Sequence, residues 1–260
     1  MGKLAIIGGT GVYSPEILAD VQVVAVETPY GEPVTLRVGT YGSHEVVFLP
    51  RHGQKHILPP HKVNYRANMA ALKKAGVGKI FATAAVGSLN EKMKPGHLAF
   101  LDQFIDFTRG REGTFYDGGE AGVAHIDLTH PYCSQLRDLL IKAAGERRIP
   151  HHPGAVYVCT EGPRFETGAE IKMFKAWGAD LVGMTNVPEV VLARELGICY
   201  STIALVTNFA TGISPAPLTH EEVLDVVAKN IGHVRTVLME SMQLLSPDTH
   251  CSCQGARPFA

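Results

Sequence analysis

Short apolar runs that stop at glycine recur along this chain and alternate with helix-length segments, and that alternation restricts the fold more than any other feature. Lys3 to Ile7 has the composition of a buried strand and breaks at Gly8-Gly9-Thr10-Gly11. Lys79 to Val86 does the same at Gly87, and further strand runs lie at Leu98 to Leu101, Ala155 to Cys159, Leu181 to Met184 and Cys199 to Val206. Helices are predicted over Pro60 to Lys74, Ser134 to Arg148, Ala169 to Trp177, Glu189 to Leu196 and Thr219 to about Leu245. Several carry their own boundary signals. Thr219 with Glu222 reads as a capping box, Gly76 sits where a helix ends, and Ser14-Pro15 reads as a cap and first helical residue. From Val21 to Pro50, β-branched residues cluster between Gly- and Pro-marked turns, which predicts antiparallel strands or a meander. Together these features predict an α/β fold: a single domain with a central mixed β-sheet flanked by helices, covering residues 1–245, with 246–260 as a tail.

Charge narrows the partners. The formal net charge is −1, with no basic or acidic block, which gives no support for a nucleic acid or a membrane surface as ligand. No apolar run approaches the ~18–20 residues that a membrane span needs. The apolar run at the start is too short for a signal peptide, and Ile6 breaks the myristoylation pattern. The expectation is a cytoplasmic protein that handles small molecules. His151-His152 has no spaced acid or cysteine to complete a ligand set, and Cys251-Ser252-Cys253 is too short to make a zinc site alone, so neither a metal nor a cofactor is expected.

Five segments carry groups suited to chemistry. Gly8-Gly9-Thr10-Gly11 follows a strand, and its amides could approach a phosphate; a plain tight turn is the alternative. A dinucleotide fingerprint fails here, because its last glycine would fall on Tyr13 or Ser14. Arg51-His52-Gly53 packs two cations beside a glycine, suited to an anion but also to a solvated loop. Thr83-Ala84-Ala85-Val86-Gly87-Ser88 ends a strand in small residues that expose backbone amides. Glu161-Gly162-Pro163-Arg164-Phe165-Glu166-Thr167 joins a rigid turn to an aromatic and two carboxylates, a combination that fits a planar base with a ring N–H. Thr207-Asn208-Phe209-Ala210-Thr211-Gly212 follows an apolar strand, at the end where open α/β sheets bind ligands.

In order, these segments resemble the trimer-forming purine nucleoside phosphorylase and methylthioadenosine phosphorylase family, from Ile6 to about Leu245. Gly183-Met184-Thr185-Asn186-Val187-Pro188-Glu189-Val190 is another specific match. The resemblance implies that Thr10, Arg51, His52, Ala84, Ala85 and Thr185 surround a phosphate co-substrate. It implies that Met184 packs on ribose, Phe165 stacks on the purine, and His125 reaches a neighbouring subunit of a homotrimer, alone or paired into a hexamer. Glu166, Asn208 and Ala210 resemble the 6-oxopurine branch, because the methylthioadenosine branch carries an Asp-x-Asp pair where this chain has Asn208 and Ala210. His220, in Thr-His-Glu-Glu-Val, resembles the residue that meets a ribose 5′-hydroxyl.

The chemistry agrees. A carboxylate at Glu166 accepts from the N1–H of hypoxanthine or guanine, and Asn208 donates to O6 and accepts from N7–H. Adenine mismatches both, at about 1–3 kcal/mol each. The expected reaction is phosphate-dependent cleavage of inosine or guanosine in purine salvage, with Asn208, Glu166 and His52 as the catalytic groups. A methylthioinosine or methylthioadenosine phosphorylase is the alternative substrate assignment. A nucleotide-binding module without catalysis is the alternative from another class. The terminal C-x-C also resembles that of phosphorylases from heat-loving organisms, which can form disulfides, and Cys133 with Cys199 is a second candidate pair.

Overall fold

A computed structural model describes residues 2–9, 17–53, 57–214, 219–246, 251 and 253, with the backbone alone at position 220. Among these residues an 11-stranded mixed sheet forms the centre of the molecule. Its strands are β1 (Lys3–Gly8), β2 (Ala19–Thr28), β3 (Gly31–Tyr41), β4 (His44–Pro50), β5 (Val77–Ser88), β6 (Leu98–Phe100), β7 (Gln103–Phe107), β8 (His151–His152), β9 (Val156–Thr160), β10 (Leu181–Gly183) and β11 (Cys199–Phe209). The helices are α1 (Tyr65–Lys74), α2 (Ser134–Glu146), α3 (Gly168–Ala176), α4 (Glu189–Glu195) and α5 (His220–Gln243). The main path runs β2-β3-β4-β1-β5-β10-β9-β7, and β11 joins β5 to β6 and, beyond it, β8. As expected, β2, β3 and β4 form an antiparallel meander. The last of them then enters the parallel part of the sheet beside β1.

Strand β1 is buried on both faces, and its alternate side chains supply two cores. Ala5 and Ile7 pack with Met69 and Leu72 of α1 and with Val190 and Leu192 of α4. Leu4 and Ile6 pack on the other face with Leu136 and Leu140 of α2 and with Val234 and Leu238 of α5. A smaller cluster seats Ile171 and Phe174 of α3 against Val158 and Val182. Helices therefore cover both faces of the sheet.

The long strand β5 organises the functional end. One edge pairs with β11 from Lys79 to Ser88. On the other edge β1 covers Val77 to Ala82, and β10 returns antiparallel only at Gly87 and Ser88. Among the described residues, Thr83 to Val86 thus has no strand partner on that edge. Its backbone groups there border a gap where the sheet branches.

Three of the differences from the sequence expectation stand out. Helix α1 starts at Tyr65, after a 3-10 turn at Pro60–Lys62. The Asn64 side chain accepts from the Ala67 N–H and sets that start. Strand β11 continues to Phe209 through a bulge between Val206 and Asn208. Strand β7 was not predicted: Gln103 and Asp106 break up Phe104, Ile105 and Phe107, so its five residues form neither an alternating nor a continuous apolar run. The Ser14-Pro15 helix start lies outside the described residues.

Candidate active site

A cavity of about 560 Å³ opens at the branch of the sheet, where β1, β4, β5, β10 and β11 end or turn. Gly9, Arg51, His52, Ala84, Ala85 and Thr185 line it, and so do Phe165, Glu166, Met184, Asn208 and Ala210. Every described residue predicted for the phosphate and nucleoside positions is therefore brought to one cavity. Thr10 and the side chain of His220 lie outside the described residues. His125 is exposed and is not part of the lining.

One end is built around Arg51. Strand β4 ends at Pro50, and the Arg51 N–H donates to the Gly8 carbonyl, tying the two strand ends together. The Arg51 guanidinium is fully buried. Its Nε donates to Glu189 Oε2 at 2.8 Å and its Nη2 to Glu189 Oε1 at 2.7 Å, a two-pronged ion pair. Its Nη1 donates to the open-edge carbonyl of Thr83 at 2.8 Å. Burial opposes the charge, but the Glu189 carboxylate more than offsets that, and Arg51 stays cationic. Three of its five N–H groups are used in these bonds, which leaves one on each terminal nitrogen.

Gly9 is required beside this group. A Cβ there would stand 2.6 Å from the Thr83 carbonyl oxygen and 2.9 Å from Arg51 Nη1. The Gly9 N–H donates to Thr83 Oγ1 at 2.8 Å. His52 Nδ1 lies 2.9 Å from the Leu58 carbonyl. That oxygen only accepts, so Nδ1 carries the hydrogen. Tyr157 clamps Thr185, donating to its carbonyl and accepting from its N–H.

The other end holds the base-reading candidates. Glu166 is buried, and Thr160 Oγ1 donates to its Oε1 at 2.6 Å. Burial raises its carboxyl pKa above the ordinary value, with the Thr160 hydrogen bond pulling the other way. Asn208 sits on the β11 bulge, a feature that re-aims side chains. Thr207 Oγ1 donates to its Oδ1 at 2.7 Å, and its Nδ2 donates to the Phe209 carbonyl at 2.9 Å. Gly87 makes room for it, since a Cβ there would come within 3.2 Å of Asn208 Nδ2. Phe165 lies on the rim, 44% exposed, with its ring free to cover a ligand. Gly162 has φ +69°, and a Cβ on it would meet Met184 Sδ at 2.6 Å.

The seven-residue segment from Glu161 to Thr167 divides its charges in a way its composition does not reveal. Glu166 alone lines the cavity. Arg164 pairs with Glu170 through two bonds, and Glu161 accepts from the Arg109 N–H. Those two residues build the loop and do not enter the cavity lining.

Arg111 escaped the sequence reading. It is buried beneath the cavity wall and donates to the carbonyls of Thr160, Glu161, Met184 and Val187 and to the Tyr65 hydroxyl. It thereby holds the Thr160–Glu161 and Met184–Val187 segments in fixed relation. The signal for it was slight: an Arg-Gly-Arg-Glu-Gly run that reads as a surface turn.

Comparison with known proteins agrees with this geometry. The model of the phosphorylase superfamily matches residues 3–242. A probable 6-oxopurine nucleoside phosphorylase of Moorella thermoacetica is 53% identical over 98% of this chain and 97% of its own length. A 6-oxopurine nucleoside phosphorylase of Pyrococcus furiosus is 49% identical, covering 98% of each. A methylthioadenosine phosphorylase of Schistosoma mansoni, solved with adenine, superposes with a TM-score of 0.90 at 40% identity, over 94% of this chain and 92% of that one.

Proposed function

The chain belongs to the phosphorylase superfamily, and on that footing we propose that it is a 6-oxopurine nucleoside phosphorylase. It cleaves the N-glycosidic bond of inosine and guanosine with inorganic phosphate, giving the free base and ribose 1-phosphate. The observation that carries the reading is that Glu166 and Asn208 line the same cavity as Arg51 and His52. A group that accepts from N1–H and a group that serves O6 and N7 thus share one space with a cationic end.

Phosphate is held by the free N–H groups of Arg51, by His52, and by the small-residue edge at Ala84 and Ala85, with Thr10 and Thr185 completing the ring. Glu189 does not cancel this role. It fixes the guanidinium plane and leaves two donors for the anion. As the glycosidic bond lengthens, the ribosyl group gains positive charge beside the phosphate, which stabilises it and attacks C1′. The departing purine gains negative charge, relieved by the hydrogen bonds of Asn208 at O6 and N7, while the Glu166 carboxylate accepts from N1–H and fixes the base in place. Asn208 is no acid, so it stabilises the N7–H form and does not supply its proton. Positioning and electrostatics carry the rate, with no covalent intermediate on the protein. Phe165 stacks on the base, and Met184 packs against the ribose.

A methylthio-nucleoside is the second reading. It draws on the apolar part of the wall, where Ile57, Leu58 and Val223 line the cavity. A homotrimer in the cytoplasm accompanies either reading. The exposed position of His125, away from its own chain's cavity, suits a contribution to a neighbouring subunit's site.

Phosphorolysis of inosine, guanosine, adenosine and methylthioadenosine, each with and without phosphate, tests the proposal. Phosphate-dependent release of hypoxanthine and guanine with little adenine is expected. Preferential release from methylthioadenosine would overturn the roles given to Glu166 and Asn208.

A further inference from the structure

Four of the five cysteines meet at one place outside the cavity lining. Cys133 caps the N-terminus of α2, Cys199 begins β11, and Cys251 and Cys253 come from the C-terminal segment. All four sulfur atoms lie within 4.8 Å of one another, and Cys133 Sγ stands 3.4 Å from Cys251 Sγ. Cys133, Cys199 and Cys253 are buried within the second core, and Cys251 packs against it. None of the four lines the active-site cavity.

We propose that these four side chains form a structural zinc site of the four-thiolate type, pinning the C-terminal segment to the start of α2 and β11. Four ligands about 2.3 Å from one zinc ion stand roughly 3.8 Å apart at the corners of a tetrahedron. The observed cluster has that scale for all of its pairs at once. Its donors are the soft sulfur ligands that zinc takes in closed structural sites.

The surroundings favour thiolate. The Cys253 N–H points to Cys251 Sγ at 3.5 Å, a backbone donor to a ligand sulfur. Cys133 stands at a helix N-terminus, where negative charge is favoured. Binding releases the remaining thiol protons to solvent, and no redox change is involved.

Spacing in the sequence does not reveal this site, because C-x-C supplies only two ligands. The other two arrive from distant positions, Cys133 118 residues before Cys251, once α2 and β11 are in place.

The test uses the full chain purified without a histidine tag. Expected are about one zinc per chain by elemental analysis, and thiols that react only after a mercurial or a strong chelator releases the metal. Exchange with cobalt should give the sulfur-to-metal charge-transfer bands and the visible bands of tetrahedral cobalt. Cys251→Ser and Cys253→Ser should each lose the metal and lower Tm by roughly 5 °C or more, while phosphorolysis at moderate temperature stays unchanged. Four freely reactive thiols with no metal would overturn the proposal. So would an intact mass lowered by the hydrogens lost in disulfides, or full zinc content in the serine variants.

Discussion

Arg51 and Glu189, 138 positions apart in the chain, form a fully buried two-pronged ion pair at the wall of the cavity. Tyr200 adds a third bond, its hydroxyl donating to Glu189 Oε1 at 2.6 Å. A buried pair of this kind contributes little net stability, but breaking it is costly because one charge is left alone. Glu189→Ala should therefore destabilise the protein by about 3–5 kcal/mol in urea unfolding. The double replacement Arg51→Met with Glu189→Leu should recover much of that loss and still fail to bind phosphate. If the double variant kept a normal KM for phosphate, the role given to Arg51 would be wrong.

Glu166 sets a pH dependence with a definite sign. Burial raises its pKa above 4.5, so the native state holds this proton at higher pH than the unfolded chain does. Stability from this group is thus fully present below the unfolded pKa and is lost as pH rises through the folded one. Ligand binding needs the opposite form, because only the carboxylate accepts from N1–H. The acid limb of kcat/KM for inosine should accordingly lie above the ordinary glutamate range. Glu166→Gln should remove that limb and raise stability at neutral pH, with no gain in acid. An unchanged acid limb in Glu166→Gln would assign it to another group.

The same substitution should relax base selection. A glutamine can turn either its oxygen or its amide toward the ring, so it accepts from N1–H or donates to the N1 of adenine. The discrimination between inosine and adenosine should shrink by one mismatch, about 1–3 kcal/mol or roughly fivefold to 150-fold. Asn208→Ala should cost inosine kcat/KM on at least this scale, because it removes both the O6 donor and the N7 acceptor. Steady-state comparison of the two nucleosides measures each effect.

Arg111 is not part of the cavity lining but holds the backbone of two segments behind it, Thr160–Glu161 and Met184–Val187. Arg111→Lys keeps the charge and loses the planar fork that reaches several carbonyls at once. We expect kcat/KM to fall by about tenfold or more, with an accompanying drop in Tm. A loss of Tm with kinetics unaltered at low temperature would show that the residue supports the fold without positioning the site.

Gly162→Ala should be severe for its size. The backbone there is in the left-handed region, and a methyl would press on Met184. A cost of about 1–3 kcal/mol with a raised KM for nucleoside is expected. Glycine at position 168, with nothing within 4 Å of its added Cβ, is the matched control.

Much of this molecule was legible before its coordinates. The strands from Lys3, Lys79, Ala155, Leu181 and Cys199 are buried runs punctuated by glycine or proline, and burial on both faces leaves such runs a strong apolar signal. The capping box at Thr219 and Glu222 is present as read. Strand β7 was not legible, because Gln103 and Asp106 leave its apolar residues in neither an alternating nor a continuous pattern. For the site, Glu166 and Asn208 could be picked from chemistry, while their meeting in one cavity depends on how β5 branches. Arg111 and the cysteine cluster were hidden for a common reason. Each gathers partners from distant segments, and nothing local in the sequence marks the encounter.

The branch in β5 gives the two ends of the cavity different footings. One end is mortised into the sheet, where Gly9, Thr83 and Arg51 fit each other to within a methyl group. The other end hangs on a bulge and a loop, which carry Asn208 and Glu166. Under the roles proposed above, substitutions that change the accepted purine are expected at the second end, with the grip on phosphate left intact.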